Sequence, residues 1–186
     1  MPSSMPHLII ARKFNPNASI DFYIGSLAVD SIKDASVKAE AHMENSPNIE
    51  SALKDLALNA SSDYLMGLLL HLYVDWKWKN THLKSFANNN GDKWFSKYRD
   101  EIGKITAFAF HNTEWACNLY NQLEHWDYNG FIETEFIKEA SVRDYICSSK
   151  KWHVNNDLGP SEAFPPDLIE KFANDVVADF SEWYKI

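Results

Sequence analysis

The chain has 186 residues and a formal charge of −8, with 18 Lys and Arg against 26 Asp and Glu. This length suits one sizeable domain, and a composition that is 45% hydrophobic allows a substantial core and excludes a disordered chain. The negative charge and the lack of a basic cluster argue against long nucleic acid or an anionic bilayer as the main partner.

The sequence has no membrane-spanning or secretory pattern. No apolar run approaches the roughly 18 residues of a membrane span, and the short run LII precedes Arg12 and Lys13, the reverse of a secretory signal. These features predict a cytoplasmic protein without a stable membrane anchor. Cys117 and Cys147 stand apart and form no zinc-ribbon or disulfide pattern.

Apolar residues recur at helical spacing along nearly the whole chain, whereas strand-like alternation is scarce. The pattern predicts one all-α domain over residues 1–186, built as a helical bundle. The predicted helices cover residues 7–14, 21–30, 49–59, 64–79, 92–108, 111–126, 131–148 and 161–184.

Irregular structure is predicted between some of these helices. Residues 33–48 are polar and end in Asn-Ser-Pro, and residues 88–92 have the breaking sequence NNNGD. A further irregular loop is predicted over 153–160, which is rich in Asn, Gly and Pro. Ser61, Ser62 and Asp63 offer capping side chains for the helix that follows them.

The most informative segment is 65-LMGLLLHLYVDWKW-78, in which His71 and Asp75 are four residues apart on one helical face. An ionised Asp in such apolar surroundings is costly unless it is paired or bound to a cation. Three interpretations remain open: the two side chains bond to each other in a core, they face solvent, or they hold a metal. Trp76 and Trp78 are interpreted as helix-packing groups, with substrate contacts as the alternative.

The spacing of four residues is by itself weak evidence for a site, because His153 and Asp157 repeat it in 152-WHVNNDLGP-160. That copy lies among Asn, Gly and Pro residues and is expected in a loop, so no site is predicted there.

Three more residues of the same chemical types lie beside apolar helical segments: His7, Asp30 and His42. Taken singly, they fit a frayed helix end, a helix cap and a surface loop. Taken with His71 and Asp75, they offer the mixed imidazole and carboxylate ligands of zinc, iron or manganese. Facing helices of a bundle are a usual place for such a site.

The order of these motifs resembles a known family. P-H-L, then G-S-L-A-V-D, then A-H, then G-L-L-L-H-L-x-x-D-x-x-W over about residues 5–80 resembles the zinc-dependent phospholipase C family, which is related to the single-strand-specific nucleases. The resemblance implies an all-α fold that hydrolyses phosphoester bonds with metal ions in a cleft. It implies that Asp30, His42, His71 and Asp75 bind one Zn²⁺, and that Asp75 also reaches a second ion shared with His7.

The chain departs from the family pattern in two ways. Secreted members use a free N-terminal amino group as a ligand, whereas six residues precede His7 here. They also hold a third ion with a further His and a His-x-x-x-Glu pair, for which this chain offers only His82 and His111 with Glu114 three residues later. The resemblance therefore implies one or two ions, with iron or manganese as alternatives to zinc.

The predicted function is a metal-dependent phosphoester hydrolase acting on a small-molecule or lipid-headgroup phosphoester. Asp30 and Asp75 are the candidate catalytic residues; Asp30 could be a ligand or a base, and the resemblance favours a ligand. The alternative is a catalytically degenerate metal-binding or interaction module on the same scaffold. The motifs G-x-S-x-G and H-E-x-x-H and a phosphate-binding glycine loop are absent.

Overall fold

The computed structural model describes residues 3–185, and this part of the chain contains α-helices but no strand. The predicted all-α fold is confirmed. The helices are α1 (Ser4–Phe14), α2 (Ile20–Ala28), α3 (Ala35–Ala41), α4 (Ile49–Asn59), α5 (Asp63–Trp78), α6 (Lys84–Asn90), α7 (Trp94–His111), α8 (Ala116–Glu124), α9 (Glu139–Asn155) and α10 (Pro166–Trp183).

Helix α5 is the central element of the bundle. It begins where the Ser62 side chain accepts a hydrogen bond from the Leu65 amide, 3.2 Å away, which satisfies one of the free amides of the first turn. It packs against α1, α2, α4 and α10, and most of its residues from Gly67 to Asp75 are buried. Burial of this apolar surface is the main stabilising contribution to the fold.

Helices α2 and α5 cross in close contact because each has a glycine at the crossing point. A Cβ on Gly25 would overlap the carbonyl oxygen of Tyr64, and a Cβ on Gly67 would overlap that of Phe22. The two backbones touch there, which no larger residue would allow. The contact lies in the first half of α5 and the second half of α2, so it sets the spacing of the two helices just before His71 and Asp30.

Trp78 ends α5 as a packing residue, as the sequence predicts. Its side chain is fully buried, and its ring contacts Phe164 and Phe172. Its indole N–H donates to the Tyr98 hydroxyl at 2.7 Å, which anchors α7. Trp76 packs against Tyr73 within α5.

Glu101 on α7 holds the irregular segment that precedes α10. Its carboxylate accepts hydrogen bonds from the Ser161 hydroxyl at 2.6 Å, the Ala163 amide at 3.1 Å and the Lys104 ammonium at 2.7 Å. Burial alone would raise the pKa of Glu101, but the bonds from Lys104, Ser161 and Ala163 lower this pKa to about 2.

The lowered pKa of Glu101 makes part of the protein's stability depend on pH. A carboxyl group whose pKa is lowered by folding stabilises the protein above its unfolded pKa, and this stabilisation is lost as the pH falls toward the folded pKa. We expect Glu101→Gln to lower the free energy of unfolding by about 1–2 kcal/mol at pH 7. Urea denaturation at several pH values should show the difference shrinking between about pH 4.5 and pH 2; a difference independent of pH would contradict this account.

Several predicted boundaries were wrong, first of all the loop predicted over 33–48. Residues 35–41 form α3, because the Asp34 side chain accepts hydrogen bonds from the amides of Ser36 and Val37 and starts a helix of Ala, Lys and Glu residues. The chain leaves the helix only at His42, and Met43 takes a positive φ of 57°.

A helix break does occur within the predicted range 88–92, but it takes up fewer residues than predicted. A π-helical turn (Lys79–Leu83) connects α5 to α6, which continues through Asn90. The direction changes at Gly91, whose φ of +56° suits a glycine.

The helix predicted over 131–148 begins later, at Glu139. The Thr134 hydroxyl accepts hydrogen bonds from the amides of Phe136 and Ile137, and this local turn replaces the first helical turns. The helix continues to Asn155, so the loop predicted from residue 153 begins only at residue 156. Other boundaries shift by a few residues: α1 begins at Ser4, α7 ends at His111, α8 covers only Ala116–Glu124 of the predicted 111–126, and α10 begins at Pro166.

No helix in the described range, residues 3–185, combines the length and apolar character that a membrane crossing requires.

Candidate metal centre

Five side chains from four parts of the chain converge at one end of the crossing between α2 and α5. His7 comes from α1, and His71 and Asp75 come from the last turns of α5. Asp30 lies in the short 3-10 turn (Val29–Ser31) after α2, and His42 is the residue that ends α3. These are the five residues that the sequence singled out, and we refer to them as the His/Asp cluster.

His42, His71 and Asp75 lie within contact distance of each other, and Asp30 lies beside His42. The Nε2 atoms of His42 and His71 are 3.4 Å apart. Asp75 Oδ2 lies 3.2 Å from His71 Nε2 and 3.4 Å from His42 Nε2, and Asp30 Oδ1 lies 3.6 Å from His42 Nε2. Ligand atoms around a tetrahedral zinc ion at about 2.0–2.1 Å are about 3.3–3.4 Å from each other. The separations therefore suit neighbouring metal ligands, and two groups of three, His7 with His71 and Asp75, and Asp30 with His42 and His71, are each close enough to hold an ion.

The two oxygens of Asp75 face different imidazoles. Oδ2 faces His42 and His71, whereas Oδ1 lies 3.3 Å from His7 Nε2. The His7 ring stacks on the His71 ring with centroids 3.8 Å apart. The Asp75 carboxylate therefore contacts His7 through one oxygen and His42 and His71 through the other.

Backbone carbonyls orient two of the imidazoles. His71 Nδ1 lies 2.8 Å from the Ser26 carbonyl oxygen, and His42 Nδ1 lies 2.7 Å from that of Lys38. Because a carbonyl can only accept, each Nδ1 carries a proton, and each Nε2 faces the cluster. Metal-binding histidines are typically held in this way. Lone pairs on the Nε2 atoms of His42 and His71, 3.4 Å apart, repel each other unless a cation or a proton lies between them.

The cluster contains buried polar atoms without a well-formed hydrogen bond. Within residues 3–185, the two Asp75 oxygens and the two ring nitrogens of His7 lack such a bond. Asp75 Oδ1 nevertheless lies only 3.3 Å from His7 Nε2, and Asp75 Oδ2 only 3.2 Å from His71 Nε2. His7 and Asp75 are both buried. Buried polar groups in native proteins are nearly always satisfied, and an ion is one of the partners that can satisfy them. These His and Asp groups could therefore hold a metal ion.

Electrostatics keep the two carboxylates ionised. Burial alone would raise the pKa of Asp75, but the imidazoles of His71 and His7 beside it lower this pKa. For Asp30 the same penalty of burial is outweighed by the hydrogen bond with His42 and by the charges of His71 and Lys38, so its pKa lies well below its usual range.

The pKa values of His7 and His71 shift in opposite directions. Burial and the neighbouring His71 lower the pKa of His7. Burial would also lower the pKa of His71, but the carboxylate of Asp75 outweighs it and raises this pKa. Two ionised carboxylates among imidazoles form a site of net negative charge, which favours a cation.

One contact of the cluster was missed by the sequence interpretation. The ammonium of Lys38 lies 2.7 Å from Asp30 Oδ1, on a segment predicted to be loop. The available signal was helical spacing, because Lys38 lies four residues before His42 in 38-KAEAH-42.

The residues considered for a third ion lie elsewhere. His82 packs against Trp78 and Phe172. His111 Nε2 lies 2.9 Å from the carbonyl oxygen of His153, and Glu114 is exposed. None of the three belongs to a group of possible metal ligands within the described residues.

The second pair with the same spacing is not a counterpart of His71 and Asp75. His153 is buried on α9, which corrects the loop prediction, and its Nε2 lies 3.0 Å from the Ser4 hydroxyl. Asp157 is exposed and lies beyond the end of the helix, so the two do not share a helical face.

Comparison of the chain with protein-family models, with curated proteins and with solved structures found no match.

Proposed function

We propose that the protein is a metal-dependent phosphoester hydrolase of the zinc-dependent phospholipase C type, with the corresponding helical fold. The observation that carries the proposal is the convergence of the His/Asp cluster at separations suited to metal ligands, with two Nδ1 atoms held by backbone carbonyls. Zinc is the proposed metal, because two or three imidazoles with carboxylates are typical zinc ligands.

The residues have separate roles in this proposal. Asp30, His42, His71 and Asp75 would hold one ion, and Asp75 with His7 would contribute to a second. A divalent ion bound there supplies an activated water and polarises a phosphoryl oxygen. The chain's own contribution is to orient the ligands and to exclude bulk water. Asp30 is proposed as a ligand rather than a base, because its Oδ1 faces both His42 and Lys38.

The substrate class is argued from charge and size. A chain with a charge of −8 suits a small or locally bound phosphoester better than long nucleic acid. We therefore propose a small-molecule or lipid-headgroup phosphoester as the substrate.

One observation favours the second candidate, a metal-binding module without catalysis. The side chains of the cluster are at most 8% exposed, and the two grooves on the surface near His82 and near Phe164 include none of them. Structural zinc sites are closed in this way, whereas catalytic sites keep a position open.

The experiment that separates the two candidates combines metal analysis with turnover. Protein loaded with zinc and dialysed should retain one or two ions per chain and hydrolyse bis(p-nitrophenyl) phosphate or p-nitrophenyl phosphate, with activity lost on chelation and restored by zinc. Retained zinc also stabilises the fold, by about 2.7 kcal/mol at a free concentration 100 times the Kd. Retention without turnover would establish the metal-binding module, and absence of retained metal would reject both candidates.

A further inference from the structure

Lys38 is a cationic side chain in direct contact with the His/Asp cluster. Its ammonium lies 2.7 Å from Asp30 Oδ1 and 3.2 Å from the Asp30 carbonyl oxygen. Its own carbonyl oxygen accepts the proton of His42 Nδ1. The residue is therefore attached to the cluster through both its side chain and its backbone.

Lys38 lies at the edge of the His/Asp cluster that faces solvent. Its side chain is 28% exposed, whereas that of Asp30 beneath it is 8% exposed. Helix α3, which carries Lys38, has no buried residue. Of Lys38 and the five cluster side chains, Lys38 is therefore the most accessible to a solute.

Charge and donor geometry indicate what kind of solute this would be. Two carboxylates and one divalent ion cancel, so the Lys38 ammonium leaves the loaded centre with a net charge of about +1. A lysine has three N–H donors. Two are directed at oxygens of Asp30, which leaves the third for an outside acceptor. Lysine is a common phosphate-binding residue because it offers a compact positive charge.

We propose that Lys38 is the anion-binding residue of this centre, and that it donates a hydrogen bond to a phosphoryl oxygen of the phosphoester beside the metal ion. The inference rests on the proposed function and adds a specificity-determining residue to it. Inorganic phosphate, which has the same oxygens, would bind at the same position.

A purely structural role for Lys38 predicts a different result. If the ammonium only positions Asp30, its removal should disorder a metal ligand and weaken zinc binding. If it binds the anion, its removal should leave zinc binding intact or strengthen it, because a positive charge that competes with the ion for Asp30 is gone. Phosphate binding should weaken instead. The two roles thus differ in the sign of the effect on zinc.

The experiment compares wild type, Lys38→Met, Lys38→Arg and the control Lys33→Met. Lys33 precedes the same helix, but its side chain is 80% exposed and lies 3.6 Å from Asp144, away from the cluster. Zinc affinity is measured by competition with a chelator, and inorganic phosphate is titrated calorimetrically into each zinc-loaded protein at constant ionic strength. Circular dichroism verifies that helix content is equal.

We expect Lys38→Met to weaken phosphate binding about tenfold or more, the effect of one charge-assisted hydrogen bond, while zinc affinity is maintained or raised. Lys38→Arg should recover much of the phosphate affinity, and Lys33→Met should behave as wild type. Unchanged phosphate affinity in Lys38→Met, loss of zinc in that variant, or a zinc-loaded wild type that binds no phosphate would each overturn the assignment. A wild type that takes up no zinc would refute the proposed function and this assignment with it.

Discussion

Asp75→Asn should abolish high-affinity metal binding while the helical fold persists. Asn keeps the size of the side chain but removes the charge that faces His7 through one oxygen and His42 and His71 through the other. Replacing partners outside the ligand shell typically costs 10–100-fold in metal affinity, so loss of a central ligand charge should cost more than about 100-fold. Zinc content and phosphoesterase activity should fall together, with an unchanged far-UV spectrum.

The matched control is Asp157→Asn. Asp157 follows a histidine at the same spacing, but it is exposed and lies beyond the end of α9. We expect this variant to retain wild-type zinc content. Equal loss in both variants, or no loss in either, would mean that His71 and Asp75 are only a satisfied pair in the core.

Gly67→Ala should be among the most destabilising single-methyl changes in the chain. The new Cβ would overlap the carbonyl oxygen of Phe22 and lie 2.9 Å from the Ser26 amide nitrogen. Both are backbone atoms, so α2 itself must move away from α5. Overpacking typically costs about 1–3 kcal/mol and occasionally more, and the better helix propensity of Ala recovers at most about 1 kcal/mol.

The displaced backbone also affects the cluster. The Ser26 carbonyl accepts the His71 Nδ1 proton, so a shift of α2 should turn the imidazole and weaken zinc binding as well.

Gly103→Ala on α7 provides the control. There the nearest heavy atom, on the Trp152 ring, would be 3.9 Å from the new Cβ. This variant should be as stable as wild type or more stable by up to about 1 kcal/mol. Urea midpoints measured in parallel test the pair; equal stability of Gly67→Ala and Gly103→Ala would show that the close crossing of α2 and α5 is wrong.

Local signals predicted the bounds of α4 and α5 closely. The bounds of α4 match the prediction at residues 49 and 59, where Asn48 caps the first turn, and the Ser62 cap places the start of α5 within a residue. Helix α3 was not predicted, because none of its residues is buried and its sequence therefore shows no apolar stripe. Residues 131–138 were assigned to a helix because hydrogen bonds of Thr134 to nearby amides do not alter hydrophobic periodicity.

The candidate site was predictable in its residues but not in its surroundings. His71 and Asp75 were notable because polar groups on an apolar helix need partners, and His7, Asp30 and His42 joined them as ligand-type side chains beside apolar helical segments. The Gly25 and Gly67 contact that brings α2 and α5 together depends on tertiary packing. Lys38 belongs to a helix that was itself unpredicted.

The most direct test of the central claim is a crystal structure of the zinc-loaded protein with anomalous diffraction recorded at the zinc edge. We expect a peak about 2.0–2.2 Å from His42 Nε2, His71 Nε2, Asp75 Oδ2 and one oxygen of Asp30. A second peak, if two ions bind, should lie between His7 Nε2 and Asp75 Oδ1. Zinc located only at other residues, such as His82 or His111, or no zinc within the His/Asp cluster, would contradict the account.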